Sequence, residues 1–290
     1  MALEEILSEA LGFPVVVSRD EPNVYWSTFE TRVIESDAGT FLCKRGPTRY
    51  ESGHGHRGGV AREAEVYRFL LSPLGVGPRF YGSVEHDGET WLVLEYVADA
   101  FRLPQAPRGS LTVAARWVGG FHHRYERTQP AYLPAHDADY YLGWARRARA
   151  LAQERRAGVR VVGKLDRLCS RFELAVPALL EAQPTVAHGE YVPKNILIRG
   201  GETYPVDWES AMIGPGEVDL ASLVHRWGER AADAAVRAYR AARWPEGVPP
   251  EHEAAFATAQ LYWLLRWLGD REFWTSDATF VHLLDEVMAA

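Results

Sequence analysis

The segment 186–209, V-A-H-G-E-Y-V-P-K-N-I-L-I-R-G-G-E-T-Y-P-V-D-W-E, constrains this chain more than any other stretch. It reads as a short polar loop, a strand over Ile196–Arg199, a Gly200-Gly201 turn and a second strand over 203–206, which together make a hairpin. Such a hairpin brings the carboxylate of Glu190, the amide of Asn195 and the carboxylate of Asp207 to one end. Oxygen ligands gathered in this way suit Mg²⁺, which prefers one or two carboxylates plus substrate phosphates to an all-protein cage. Asn and Asp also favour ordinary turns, and a lone His-Gly-Glu is a weak signal. The order and separations of the whole set point instead to phosphoryl transfer.

The first hundred residues have a pattern of their own. Leu3, Ile6, Leu7, Ala10 and Leu11 follow helical spacing, stopped by Gly12 and Pro14. Strands are expected over 15–18, 24–35 and 40–44, a helix over 60–71 that ends before Pro73, and two further strands over 79–85 and 90–97 around the turn His86-Asp87-Gly88-Glu89. The predicted order is three strands, one helix, two strands.

His-Gly-Glu followed five residues later by Asn, then strand, turn, strand and Asp-Trp, resembles the catalytic segment of the aminoglycoside phosphotransferase and choline kinase family, small-molecule relatives of protein kinases. The family pattern is His-Gly-Asp, so Glu190 stands where Asp is expected. The resemblance implies an α+β, bilobal, protein-kinase-like fold with an N-terminal five-stranded antiparallel sheet carrying one main helix and a mostly helical C-terminal lobe holding the catalytic hairpin. It implies a nucleotide-binding lobe over 1–97, a hinge over 98–109 and a catalytic and substrate-binding lobe over 110–290.

The same resemblance supplies roles. Lys44 looks like the lysine that holds the α- and β-phosphates of ATP, with Glu63 as its ion-pair partner and Glu65 the less favoured alternative. Glu95 and Val97 fall where main-chain groups would bind adenine. Asn195 and Asp207 are the implied Mg²⁺ ligands, and Glu190 is the implied base for the acceptor hydroxyl. His188 is expected to fix the loop by hydrogen bonds, and Lys194 to lie near the γ-phosphate. Trp208 is expected to pack, and Asp219 and His122 to act structurally. The loop 18–27 lacks the glycines that let backbone N–H groups approach phosphate, so Ser18, Asn23 and Ser27 are read as substitute side-chain donors. The plain reading of Lys44 and Glu63 is a strand-edge lysine and an exposed helix charge.

Composition narrows the class. At 290 residues, with 47% hydrophobic and 24% charged residues, the chain is an ordinary globular protein large enough for two cores. A net charge of −7 argues against nucleic acid as the main partner. No apolar run approaches the ~20 residues that span a bilayer, and residues 1–11 lack a signal-peptide pattern, so a cytoplasmic protein without membrane partners is expected. Cys43 and Cys169 are read as reduced, packed thiols.

The segment 53–59, G-H-G-H-R-G-G, reads as a mobile, solvated connector whose two histidines lack further metal ligands. Residues 99–109 read as a linker, and helices are expected over 111–125, 140–156, 162–180, 218–244 and 254–268. The arginines 146, 147, 149, 155 and 156 read as a solvated face. Trp227, Trp244, Trp263, Trp267 and Trp274, with Tyr262, Phe273 and Phe280, are read mainly as core, one or two of them facing an acceptor. From His225 onward ten acidic residues face seven basic ones, a mild excess where a polycationic antibiotic favours a dense acidic cluster. The acceptor is therefore left open among an aminoglycoside-like antibiotic, a sugar and another hydroxylated metabolite. The rival to an enzyme is a nucleotide-binding pseudokinase with a regulatory or scaffolding role.

Overall fold

A computed structural model describes residues 2–24, 27–50, 52–154 and 159–270. Tyr25 and Trp26 of the loop 18–27, Arg155 and Arg156, and Phe273, Trp274 and Phe280 therefore lie outside the described residues. By its contacts the chain forms two compact units. The first comprises Met1–Ala114, Pro130–Leu133 and His188–Ala211, and the second Ala115–Gln129, Pro134–Ala187 and Met212–Ala290.

The first unit opens with helix α1 (Leu3–Leu11), closed by Gly12 in the left-handed region (φ 80°). Strands β1 (Val17–Pro22), β2 (Glu30–Ser36), β3 (Gly39–Pro47), β4 (Phe80–His86) and β5 (Glu89–Glu95) form one antiparallel sheet in the order β1-β2-β3-β5-β4. Alternation along β3 places Phe41 and Cys43 in the core that α1 covers, with Leu7, Val15, Ile34 and Val93. Leu42, Lys44 and Gly46 point the other way. A Cβ at Gly46 would lie 2.6 Å from the Phe29 ring and 2.9 Å from Val60, so only glycine lets helix α2 (Gly59–Val66) sit this close to the strand beside Lys44.

The expected helix over 60–71 is an α-helix only to Val66 and continues as a π-helical turn over Tyr67–Leu71. The presumed linker holds strand β6 (Phe101–Arg102) and a 3₁₀ turn. Strand β6 pairs with β8 (Ile196–Arg199), which pairs with β9 (Glu202–Pro205).

The second unit is mostly helical: α3 (Ser110–Arg124) enters it, followed by α4 (Ala138–Glu154), α5 (Val159–Glu181), α6 (Glu217–Val224), α7 (Glu229–Arg243) and α8 (His252–Gly269). Its core holds Tyr141, Trp144, Phe172, Cys169 and Tyr262. Two short strands, β7 (Pro184–Ala187) and β10 (Met212–Pro215), pair antiparallel beneath it. The single helix expected over 218–244 is two. Arg226 takes φ 65° and Gly228 caps the second helix, because α6 is buried all round while α7 is amphipathic and needs a different axis. Both cysteines are buried free thiols, each pushed up to about 12 by burial. Among the described residues no helix is long and apolar enough to cross a membrane.

A polar network ties α3, α6, α7 and α8 together. His122 engages Asp219 through Nε2 (3.1 Å) and Tyr239 through Nδ1 (3.0 Å). Burial holds this imidazole below its ordinary value, against the pull of Asp219, so the ring is neutral. Glu217 accepts from His252 (2.9 Å) and lies 3.5 Å from Arg243. Burial alone raises a carboxyl, but His252 and Arg243 outweigh it and hold Glu217 below the carboxylate range. A depressed folded pKa contributes stability that is fully present above the unfolded value and is lost as pH falls through the folded one. Denaturant titrations from pH 7 to pH 3 should show an acid loss of stability that Glu217→Gln reduces. An unchanged slope in that variant contradicts the assignment.

Candidate active site

The site lies within the first unit and is built from the inward face of β3, from α2 and from the open end of the β8–β9 hairpin. Lys44 is buried, its Nζ 2.7 Å from Glu63 Oε2 and 2.5 Å from Asp207 Oδ1, with Glu209 Oε2 at 3.8 Å. The ring of Phe29 covers the ammonium at 5.6 Å. Glu63 also accepts from the Trp208 N–H (3.2 Å), which fixes α2 to the end of the hairpin. Glu65, two residues on and so on the opposite side of the helix, is half-buried and does not enter the cluster.

The electrostatics follow from burial opposed by proximity. Desolvation disfavours the Lys44 ammonium, yet Asp207, Glu63 and Glu209 hold it well above its ordinary value. Lys44 in turn overcomes burial at Asp207 and holds that carboxyl below its usual range. Burial wins at Glu63, which is raised, and at Glu209, which is pushed up to about 8. Two carboxyls two residues apart thus differ in acidity, because Asp207 contacts the ammonium directly and Glu209 does not.

The backbone of the segment 188–195 is tightly specified. Gly189 has φ 79°, and a Cβ there would stand 2.1 Å from the Ser210 carbonyl oxygen. Glycine is the one residue that fits. The His188 Nε2–H donates to the Val206 carbonyl (3.0 Å) while Nδ1 accepts from the Glu190 N–H (3.3 Å), so the ring bridges the loop to the end of β9. The Asn195 side-chain nitrogen donates to the Glu190 carbonyl (3.2 Å), which leaves its side-chain oxygen facing away from that bond. Asp207 sits in the left-handed region at φ 70°, a strained conformation that Asp tolerates better than most residues.

A cavity beside this cluster is bordered by Asn23, Ser27, Lys44, Glu63, Glu95, Val97, Lys194, Asn195 and Asp207, so nine of the expected site residues meet on one space. Its apolar walls are Leu42, Leu94, Leu197 and Val206. The Glu95 carboxylate accepts from the Arg79 N–H (3.1 Å) and from Arg199 (2.7 Å), so that side chain is engaged with protein groups. Ser18 is a correction: its hydroxyl donates to the Glu35 carbonyl (3.1 Å) and it does not border the cavity. Ser27 accepts from the Phe29 N–H (3.4 Å).

Glu190 and His188 lie beside the cavity without lining it. Glu190 is buried and meets Arg57, Nη2 to Oε1 3.1 Å. Sequence reasoning missed Arg57, Glu209 and Arg102, the last of which donates to the Lys194 carbonyl. The segment read as a mobile connector is the largest correction, because His56, Arg57, Gly58 and Gly59 are all buried. Among the described residues no group of three or more His, Cys, Asp or Glu could hold a metal. Asn195 and Asp207 together fit a cation that draws its other ligands from phosphate and water.

Residues 26–256 match the phosphotransferase enzyme family. No curated protein is a significant match to the sequence. Among solved structures, the putative fructosamine-3-kinase from Haemophilus somnus 129PT is similar at 17% identity and TM-score 0.65, over 99% of this chain and 97% of that one. The choline kinase LicA from Streptococcus pneumoniae is similar at 16% and 0.68, over 99% and 96%. The streptomycin–ATP–APH(2")-IIa ternary complex is similar at 11% and 0.64, over 99% and 95%.

Removing the ammonium strands buried carboxyls together. Lys44→Met should cost roughly 3–5 kcal/mol of stability at neutral pH, as loss of one partner of a buried pair does. The defect should shrink as pH falls toward 5, because the carboxyls, raised without Lys44, then take up protons. Thermal denaturation across pH measures both, and a defect independent of pH would show that the cluster does not depend on this charge.

Proposed function

The chain belongs to the phosphotransferase enzyme family, and from that premise we propose that it transfers the γ-phosphoryl group of ATP to a hydroxyl of a small molecule. The observation that carries this reading is the meeting of Lys44, Asn195 and Asp207 on one cavity with apolar walls. An amine beside two oxygen ligands suits a metal–triphosphate, and Leu42, Leu94 and Leu197 suit a base. Residues 1–97 would form the nucleotide-binding lobe, 98–109 the hinge and 110–290 the lobe for catalysis and acceptor.

In this reading Lys44, oriented by Glu63, neutralises the α- and β-phosphates. The main chain of Glu95 and Val97 takes the adenine, since the Glu95 carboxylate is held by Arg79 and Arg199. Asn23 and Ser27 offer side-chain groups where the loop has no glycine, and Lys194 offsets γ-phosphate charge. Asn195 and Asp207 would hold Mg²⁺, which when bound shields the phosphate charge that develops during transfer.

Glu190 accepts the proton of the acceptor hydroxyl as that oxygen bonds to the γ-phosphorus and the bond to the β,γ-bridging oxygen breaks, releasing ADP. Its unperturbed acidity, about 4.3 against 3.9 for Asp, suits the same task. His188 is a positioning residue, because both ring nitrogens are engaged with the loop and with β9. The acceptor is a hydroxylated metabolite, a sugar or an aminoglycoside-like natural product, met in the cytoplasm.

Turnover of ATP·Mg²⁺ across a panel of hydroxylated compounds, with products read by ³¹P NMR, tests the reading. Glu190→Gln should lower kcat by roughly 10²–10⁴-fold while thermal stabilisation by ATP·Mg²⁺ persists. Undiminished turnover in that variant would remove Glu190 from the reaction.

A further inference from the structure

The chain's own solution to the longer carboxylate at position 190 lies in the segment 52–58. This segment is a closed turn. The Gly55 N–H donates to the Ser52 carbonyl (2.8 Å), the Arg57 N–H to Ser52 Oγ (3.1 Å) and the Ser52 N–H to the Arg57 carbonyl (3.3 Å). His56 Nδ1 meets Ser52 Oγ at 2.9 Å. The turn is docked by the Gly58 N–H, which donates to the Glu209 carbonyl at 2.8 Å. Its product is a single placement: Arg57, 2% exposed, with Nη2 3.1 Å from Glu190 Oε1 and Nε 3.4 Å from Glu209 Oε1.

Burying a guanidinium costs several kcal/mol unless partners repay it, so the placement calls for a reason. Phosphate binding does not supply one, since Arg57 is absent from the cavity that Lys44, Asn195 and Asp207 border. Geometry does. Glu carries one more rotatable bond than Asp, and its carboxyl would wander by more than an ångström without a fixed partner. Arg57 Nη2 gives the Glu190 carboxylate one charge-assisted point of contact, while Nε faces Glu209 and holds the guanidinium plane in place. Charge points the same way. Glu190 shares its surroundings with Asp207, Glu209, Lys44 and His188, and the two acidic groups repel it. Thr28 Oγ1 donates to Glu209 Oε1 (3.0 Å), so the residue that shares Arg57 with Glu190 is itself held in place.

We propose that Arg57 is the positioning residue that lets Glu190 serve as the proton acceptor, clamping one carboxylate oxygen so that the longer side chain presents a fixed geometry to the acceptor hydroxyl. This rests on the reading of Glu190 as the base. It goes beyond that reading by pairing the glutamate with an arginine from the turn before α2, as one unit.

The experiment is a double-mutant cycle on the full chain, with Arg57→Ala, Glu190→Asp and both together, and with Arg57→Lys as the conservative variant. Arg57→Ala should lower kcat by about 10²-fold, the cost of misplacement on the ångström scale, with the KM for ATP within about twofold of wild type. The acid limb of the pH–rate profile should move to higher pH, and Arg57→Lys should recover part of both. Glu190→Asp should cost much less in the Arg57→Ala background than in wild type, because the shorter side chain cannot reach the clamp. Additive losses, or a raised KM for ATP with kcat intact, would overturn the proposal.

A ¹³C side-chain titration of Glu190 in wild type and Arg57→Lys reads the pairing without turnover and covers the case in which Arg57→Ala does not fold. An unshifted Glu190 titration in Arg57→Lys would also overturn the proposal. Absence of phosphoryl transfer by the wild type to any acceptor, water included, would instead overturn the phosphotransferase reading. The titration would still decide whether the clamp exists.

Discussion

One buried ammonium organises the first unit. The Nζ of Lys44 contacts α2 through Glu63 and the hairpin through Asp207, and so joins three elements that neither hydrogen-bonded strands nor apolar packing alone would hold in register. The joint requires β3 to run with Phe41 and Cys43 toward α1 and Lys44 toward α2, which the two-residue repeat of a strand guarantees once one face is covered. It also requires close approach on the second face, and Gly46 supplies it. A side chain there would meet Phe29 and Val60, the residues that roof the ammonium and seat the helix.

The same joint separates the carboxyls chemically. Four acidic groups (Glu63, Asp207, Glu209 and Glu190) stand near two cations, and the excess of negative charge is tolerated because the groups do not all share the same partner. Asp207 keeps its ionised form through direct contact with Lys44. Glu209, 3.8 Å from that ammonium and deeply buried, is pushed up to about 8. The arrangement separates the acidities of the two carboxyls by their distance to a single charge.

What could be read from the sequence divides along the same physical line. The strands and helix of the first unit follow from local periodicity, and the nearness of Asn195 and Asp207 from spacing within one hairpin. Those are properties that neighbours in sequence determine. That Lys44 and Glu63 meet Asn195 and Asp207 is implied by the family resemblance alone, since Lys44 and Asp207 stand 163 residues apart. The second helix boundary was missed because Arg226 and Gly228 interrupt a helical pattern whose hydrophobicity continues on both sides of the break. The short strands β7 and β10 were missed because four-residue pairings distant in sequence leave no periodic trace. Arg57 and Glu209 were invisible for a further reason. Glycine and histidine beside an arginine carry the composition of a solvated loop, and nothing local reveals that the Gly58 N–H finds the Glu209 carbonyl and draws the turn inward.

That inward turn changes how the departure at position 190 is understood. In the role proposed for it, a glutamate in the place of an aspartate has a longer reach and a looser aim unless a partner holds it. Considered with Arg57, the added methylene is what allows the carboxylate to meet a guanidinium that approaches from the turn before α2. An aspartate on the same backbone would stop short of that guanidinium and leave it buried with less compensation. The two positions are therefore physically interdependent: the arginine costs desolvation without the glutamate, and the glutamate lacks direction without the arginine. Gly59 supports the same placement, because it holds φ 70° and a Cβ there would stand 2.9 Å from Tyr50 Cβ.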